Sequence, residues 1–245
     1  MRPRTVAIIQ ARMGSTRLPG KVMMTIADRT ILMFLVRRIL KARTLDEIIV
    51  ATTTDLRDDV IVEECERNHV LFFRGSELDV LGRYAGAAEA TDAGIIVRVT
   101  ADNPFTDPDS IDHVVKSIAS GGADYAIETS LPIGTTGEAL SRRALTFIDA
   151  VANTRPWREH VTLYAKENPQ VLKCAFLKPR PGCDRPDLSF TVDKYDEYLH
   201  VKGLAGQFPD VSFGLKNLIA LADESLAASA VYARPPFGAQ RAPVQ

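Results

Sequence analysis

The chain has 245 residues, 46% of them hydrophobic, which is enough for one large α/β domain with a small appended lobe and too short for a comfortable second domain. Its 30 basic and 31 acidic residues nearly cancel, so no overall positive field gathers nucleic acid, and no apolar run is long enough to span a bilayer. Cys65, Cys174 and Cys183 form an odd set without a Cys-x-x-Cys pair, and the four histidines lack metal-ligand spacing, which suits a reducing cytoplasmic setting better than a disulfide frame or zinc site.

A strand is expected at Val6–Gln10, entered almost at once and with no apolar targeting segment before it. It runs into Ala11-Arg12-Met13-Gly14-Ser15-Thr16-Arg17-Leu18-Pro19-Gly20-Lys21. Two glycines allow tight turns and close approach of a ligand, while Arg12, Arg17 and Lys21 offset the charge of a triphosphate. Five residues separate Gly14 from Gly20 and Val22 follows Lys21, so the loop is not a Walker motif. Gly14 has no glycine two residues on, so it is not a dinucleotide fingerprint either.

Further strands are expected at Ile48–Thr52, Leu71–Phe73 and Ile95–Val99, alternating with helices whose inward positions are Ile31, Leu32, Leu35, Ile39 and Leu40, then Val60, Ile61 and Cys65. Asp107 and Pro108 read as an N-cap and first turn of a helix to about Ala119, with Ile111, Val114, Val115 and Ile118 inward. This alternation implies an open, mostly parallel sheet covered by helices on both faces. After Gly121-Gly122 the pattern loosens into a less regular α+β segment over 125–188, with helices near Ser141–Asn153 and Trp157–Glu167. A strand at Leu188–Val192 restores order, followed by helices at Asp196–Ala205 and Asn217–Ser225. One domain is thus expected over 1–232, and the prolines and glycine from Ala233 on predict a flexible tail over 233–245.

The motifs fall at the carboxyl ends of the expected strands, where open parallel sheets bind ligands. Arg12 and Lys21 follow the first, Thr52–Thr54 end the second, Arg74–Arg83 follow the third and Asp102 lies beyond the fourth. Thr53 and Arg83 are the expected contacts to base and ribose, against ordinary readings as a strand residue and a solvated helix cation. A carboxylate after an apolar strand, braced by Pro104, suits Mg²⁺; Asp193 stands in the same relation to Leu188–Val192. For each, the competing reading is a helix cap, with Asp196 and Glu197 as rival caps near Asp193.

The loop, together with Ile48–Thr54, Phe73–Glu77, Asp79–Tyr84 and Val97–Pro104, resembles in order and spacing the spore coat polysaccharide biosynthesis protein F family. These are sugar nucleotidyltransferases more distantly related to the CMP-3-deoxy-manno-octulosonate and CMP-sialate synthetases. The resemblance implies the fold of nucleotide-diphospho-sugar transferases and transfer of CMP from CTP to a sugar, a 2-keto sugar acid by preference, with release of pyrophosphate. It assigns Arg12, Lys21 and Asp102 to catalysis and the Asp102–Asp193 pair to Mg²⁺. It assigns Gln10, Ala11, Arg12, Gly14, Ser15, Arg17, Lys21, Thr53 and Arg83 to the nucleotide, and Thr136, Glu138 and His160 to the sugar. Segment 125–188 would cover the sugar and pair two copies into a homodimer.

In one place the chain departs from the family pattern. Where relatives tend to read Tyr-Pro-Asp-Gly-Leu-Asp-Val-Glu, this chain has Leu131-Pro132-Ile133-Gly134-Thr135-Thr136-Gly137-Glu138, so two carboxylates are replaced by Ile133 and Thr136. A different acceptor or a non-catalytic nucleotide- or sugar-binding homologue would both account for that. A third reading, transfer to a sugar 1-phosphate, needs extra cations, for which Arg142, Arg143 and Arg158 are the candidates.

Overall fold

The computed structural model describes residues 2–232, with side chains up to Ser225; the expected tail lies outside the described residues. In chain order the elements are β1 (Thr5–Gln10), a short β2–β3 ribbon (Thr25–Ile26, Arg29–Thr30), α1 (Ile31–Ile39), β4 (Glu47–Thr53), α2 (Asp59–Arg67) and β5 (Leu71–Gly75). Then come α3 (Val80–Ala90), β6 (Ile95–Thr100), α4 (Pro108–Ala119), β7 (Tyr125–Glu128) and β8 (Glu138–Ser141). The chain continues with α5 (Arg142–Val151), α6 (Arg155–Glu159), α7 (Leu163–Glu167), β9 (Cys174–Leu177), α8 (Tyr195–Ala205) and α9 (Leu215–Tyr232).

Seven strands form one sheet in the order β5-β4-β1-β6-β8-β7-β9. β5, β4, β1 and β6 are mutually parallel, β8 is antiparallel to β6 and to β7, and β9 returns parallel to β7. The less regular segment therefore lends three strands to the main sheet. Because strand side chains alternate, each central strand feeds both faces. Ala7, Ile9, Val50, Val97 and Val99 pack under α1, α2 and α4, while Val6, Ile8, Ile49, Ala51 and Ile96 pack under α3 and α5. A third cluster around Phe105, Phe190, Val192 and Tyr198 ties α8 and α9 to the loop after β6.

Asp107 caps α4 by accepting from Ser110 N at 3.0 Å, with Pro108 in the first turn, as its sequence implies. Several expectations are corrected. Leu40 is the C-cap residue of α1 and 61% exposed, and Val60 also faces outward. The expected helix at Trp157–Glu167 is broken at His160–Thr162 into α6 and α7. Leu188–Val192 forms no strand; it makes one isolated bridge, Ile133 to Ser189, because Phe190 N donates to Ile133 O while Val192 N turns to Asp102 O. Among the described residues, no helix is long and apolar enough to cross a membrane.

Candidate active site

The loop after β1 is shaped mainly by its own backbone. Gly20 N and Ser15 N both donate to Met13 O, at 3.0 and 2.9 Å, and Gly20 sits at φ +70°, which a side chain would strain. The loop is anchored by Asp58, a buried carboxylate in the turn after β4. It accepts from Met13 N at 2.7 Å, from the Thr53 hydroxyl at 2.5 Å, and from Thr52 Oγ1 and Thr53 N. Asp58 was not anticipated; a carboxylate shortly after three consecutive threonines was its only sequence signal. Thr53 is accordingly buried and engaged with Asp58, not part of the cavity wall.

Lys21, 9% exposed at its side chain, lies between the two expected metal carboxylates. Its Nζ donates to Asp102 Oδ2 at 2.9 Å and to Asp193 Oδ1 at 2.8 Å, and Arg17 reaches the other Asp193 oxygen at 2.7 Å. Burial opposes ionisation of Asp193, but the hydrogen bonds and charges of Lys21 and Arg17 outweigh it and hold the carboxyl below its ordinary range. Neither aspartate caps a helix. Glu197 serves that end of α8 by accepting from Asp193 N and Lys194 N, and Asp107 serves α4. Asp193 is delivered by the extended segment that Val192 N ties to Asp102 O at 2.9 Å.

The two carboxylates suit a hard divalent cation. Among the described residues, no group of three or more metal-ligating side chains gathers, so an ion here would complete its shell with phosphate oxygens and water, as Mg²⁺ commonly does. The residues present fit such an ion.

Around this centre lies a cavity of about 350 Å³. Its walls include Gln10, Ala11, Arg12, Ser15, Arg17, Lys21, Arg83, Asp102, His160 and Asp193, so most of the expected site residues come together. Arg12 is steadied by Glu77 at 3.4 Å. Arg83 is buried, donates to the main-chain carbonyls of Ser76 and Glu77, and has a buried Nε without a partner. Among the described residues no carboxylate pairs with it; desolvation lowers its pKa, and an anion in the cavity would relieve that cost. Gly14 lies on the outer side of the loop, where a Cβ would sit 3.0 Å from the Glu77 carboxylate.

Two expected sugar contacts stand elsewhere. Thr136 bonds Ser110 Oγ of α4 and Glu128 O, away from the cavity, and Ile133 is 57% exposed. Glu138 is buried at the start of β8, where it accepts from Lys166 Nζ at 2.7 Å and pairs with Arg98. The three arginines considered for an acceptor phosphate are engaged. Arg158 grips Asp79 and Asp149, Arg143 grips Asp124, and Arg142 reaches Ala93 O. Because Asp79 is the N-cap of α3, Arg158 fastens α6, and with it His160, over the helix that carries Arg83.

The sequence model of the family described as cytidylyltransferase matches residues 6–226. The chain belongs to the cytidylyltransferase family. This family member is 36% identical, over 84% of its length and 89% of the relative's, to the spore coat polysaccharide biosynthesis protein SpsF of Bacillus subtilis (strain 168). It superposes with a TM-score of 0.86 and 28% identity on a cytidylyltransferase from Leptospira borgpetersenii, covering 96% of this chain and all of that one. A likeness of fold extends to CMP:2-keto-3-deoxy-manno-octonic acid synthetase complexed with CTP, at a TM-score of 0.63 and 15% identity over 83% of this chain and 99% of that one.

Proposed function

We propose that the protein is a Mg²⁺-dependent sugar cytidylyltransferase of surface polysaccharide or glycan synthesis, which joins CMP from CTP to a 2-keto sugar acid and releases pyrophosphate. The observation that carries this reading is the clasp of Lys21 and Arg17 on Asp102 and Asp193, at a cavity that also holds Arg12 and the unpaired Arg83. Such a set suits a triphosphate with a divalent ion. CTP and the sugar acid are favoured because relatives bear those names.

In this reading the sugar hydroxyl attacks the α-phosphorus and gives its proton to water, while the bond from the α-phosphorus to the bridging oxygen breaks and its electron pair leaves on pyrophosphate. Arg12, Arg17 and Lys21 hold the β and γ phosphates and offset charge that accumulates on departing pyrophosphate. Asp102 and Asp193 would hold Mg²⁺, which when bound supplies further charge neutralisation on the phosphates. Arg83, with the main chain of Gln10 and Ala11, faces the nucleoside, and His160 faces the sugar. Positioning and charge stabilisation dominate, so no covalent nucleophile is required. We place the protein in the cytoplasm as a homodimer joined through 125–188, to be checked by sedimentation.

The sugar 1-phosphate alternative is disfavoured by the engagement of Arg142, Arg143 and Arg158 with protein groups. The non-catalytic alternative rested on Ile133 and Thr136, which do not line the cavity. The reading is tested by pyrophosphate release from each of the four nucleoside triphosphates, crossed with 2-keto sugar acids and sugar 1-phosphates. Release from CTP only with a sugar acid and Mg²⁺ supports it; no release from any pair overturns it.

A further inference from the structure

β6 carries Arg98 two residues before Thr100, so both side chains leave the same face of the sheet; Thr100 is in the cavity wall, and Arg98 is next to it on that face without itself lining the cavity. Arg98 Nη1 lies 3.6 Å from Glu138 Oε1, its register partner on β8. That is an ion pair too long for a hydrogen bond. Among the described residues the Arg98 guanidinium makes no hydrogen bond, and its buried Nε has no partner, although a fifth of the side chain is accessible. Glu138 is taken up by Lys166 at 2.7 Å.

Arg38 shows how this chain satisfies a buried guanidinium that has only a structural task. Arg38 donates to Thr106 O, Val211 O and Phe213 O at 2.9 to 3.1 Å and has Asp107 beside it, which leaves its Nη2 without a hydrogen-bond partner. Arg98 has five N–H donors and, with Glu138 beside it at 3.6 Å, none of those three carbonyl acceptors. Charge points the same way. Arg98 and Lys166 share the single carboxylate of Glu138, which leaves one positive charge in excess among these three groups, and Asp102 also acts on Arg98 through its charge.

We propose that Arg98 is a specificity-determining residue that receives the carboxylate of the acceptor sugar. A planar fork of N–H donors matches a carboxylate in two parallel bonds, which a lysine cannot offer. In the ring form of a 2-keto sugar acid the anomeric carbon bears both the carboxylate and the attacking hydroxyl. Capture of the carboxylate by Arg98 therefore selects acids over neutral sugars and fixes which hydroxyl meets the α-phosphorus. The inference rests on the cytidylyl-transfer reading above and adds the recognition group to it.

The test compares 2-keto sugar acids with their methyl esters as acceptors for the wild-type protein, Arg98→Lys and Arg98→Gln, beside calorimetric CTP binding and melting temperature for each. The lysine variant keeps a cation beside Glu138, which guards against simple unfolding. The expected result is that the wild type prefers an acid over its ester by at least about tenfold in kcat/KM, and that both variants lose this preference through KM. CTP affinity should be unchanged. If the variants keep the acid preference, or the wild type uses acid and ester alike, Arg98 does not read the carboxylate although cytidylyl transfer stands. If CTP binds and no acid is accepted, the acceptor reading falls and takes this inference with it; if CTP does not bind, the nucleotide reading itself has failed.

Discussion

Lys21 and Asp193 are 172 positions apart in the sequence and 2.8 Å apart in the fold. The contact joins the first loop to the last segment before α8, and it occupies the carboxylates that a metal ion would use. On the proposed function, a triphosphate would give Lys21 and Arg17 a stronger anionic partner and free Asp102 and Asp193 for the ion. Nucleotide and metal should therefore bind far better together than singly.

Lys21→Ala should raise the Kd for CTP about 10- to 150-fold, because a charge-assisted contact is worth about 1.5–3 kcal/mol. Arg12→Ala should act in the same direction with less effect on the melting temperature, since Arg12 is more exposed and its one ion pair is 3.4 Å long. Titration calorimetry of CTP with Mg²⁺ checks both. Wild-type affinity in each variant would remove the loop from the phosphate site.

Asp58→Ala should weaken both the fold and the nucleotide site without touching any ligand. It strands Met13 N and the Thr52 and Thr53 hydroxyls, each at a cost of about 1–3 kcal/mol if left unmatched. A drop in melting temperature with a raised CTP Kd is expected, and Asp58→Asn, which keeps an acceptor oxygen, should be milder. An unchanged melting temperature would show that the loop holds itself.

Thr136→Asp, which restores a carboxylate found in relatives, should leave the KM of the acceptor and the Kd of CTP near wild type. Thr136 donates to Glu128 O, a bond that an ionised aspartate cannot make, so the expected change is lower thermal stability alone. Altered acceptor choice would bring segment 131–138 back to the sugar.

The pH dependence of stability follows from the Asp193 clasp. Its folded pKa lies below the ordinary value of 3.8, so the unfolded chain takes up a proton first as pH falls. The stabilisation is present above about pH 4 and is lost as pH drops through the folded pKa. Asp193→Asn should flatten that part of the acid-unfolding curve, measured without nucleotide; a curve parallel to wild type would contradict the clasp.

The parallel half of the fold was legible because β-branched strands and helical spacing repeat with Pro and Asp punctuation, as at Asp107-Pro108. The placement of the loop after β1 and of Asp102 was legible for the same reason, since both sit where strands end. Leu188–Val192 misled because its apolar residues are buried against α8 and the loop after β6, not against a neighbouring strand. Local sequence could not reveal Asp58 or Arg98. Asp58 owes its place to a turn meeting a distant loop, and Arg98 to antiparallel pairing with a strand 40 residues later.

Pyrophosphate release from CTP, Mg²⁺ and a 2-keto sugar acid by the wild type, Asp102→Asn, Asp193→Asn and the double variant tests the central claim most directly. The wild type should turn over, each single variant should lose a factor on the order of hundreds or more, and the double should be little worse than the poorer single, because the two carboxylates act as one unit. Full Mg²⁺-dependent activity in Asp193→Asn, or no turnover of CTP by the wild type with any acceptor, would contradict the account.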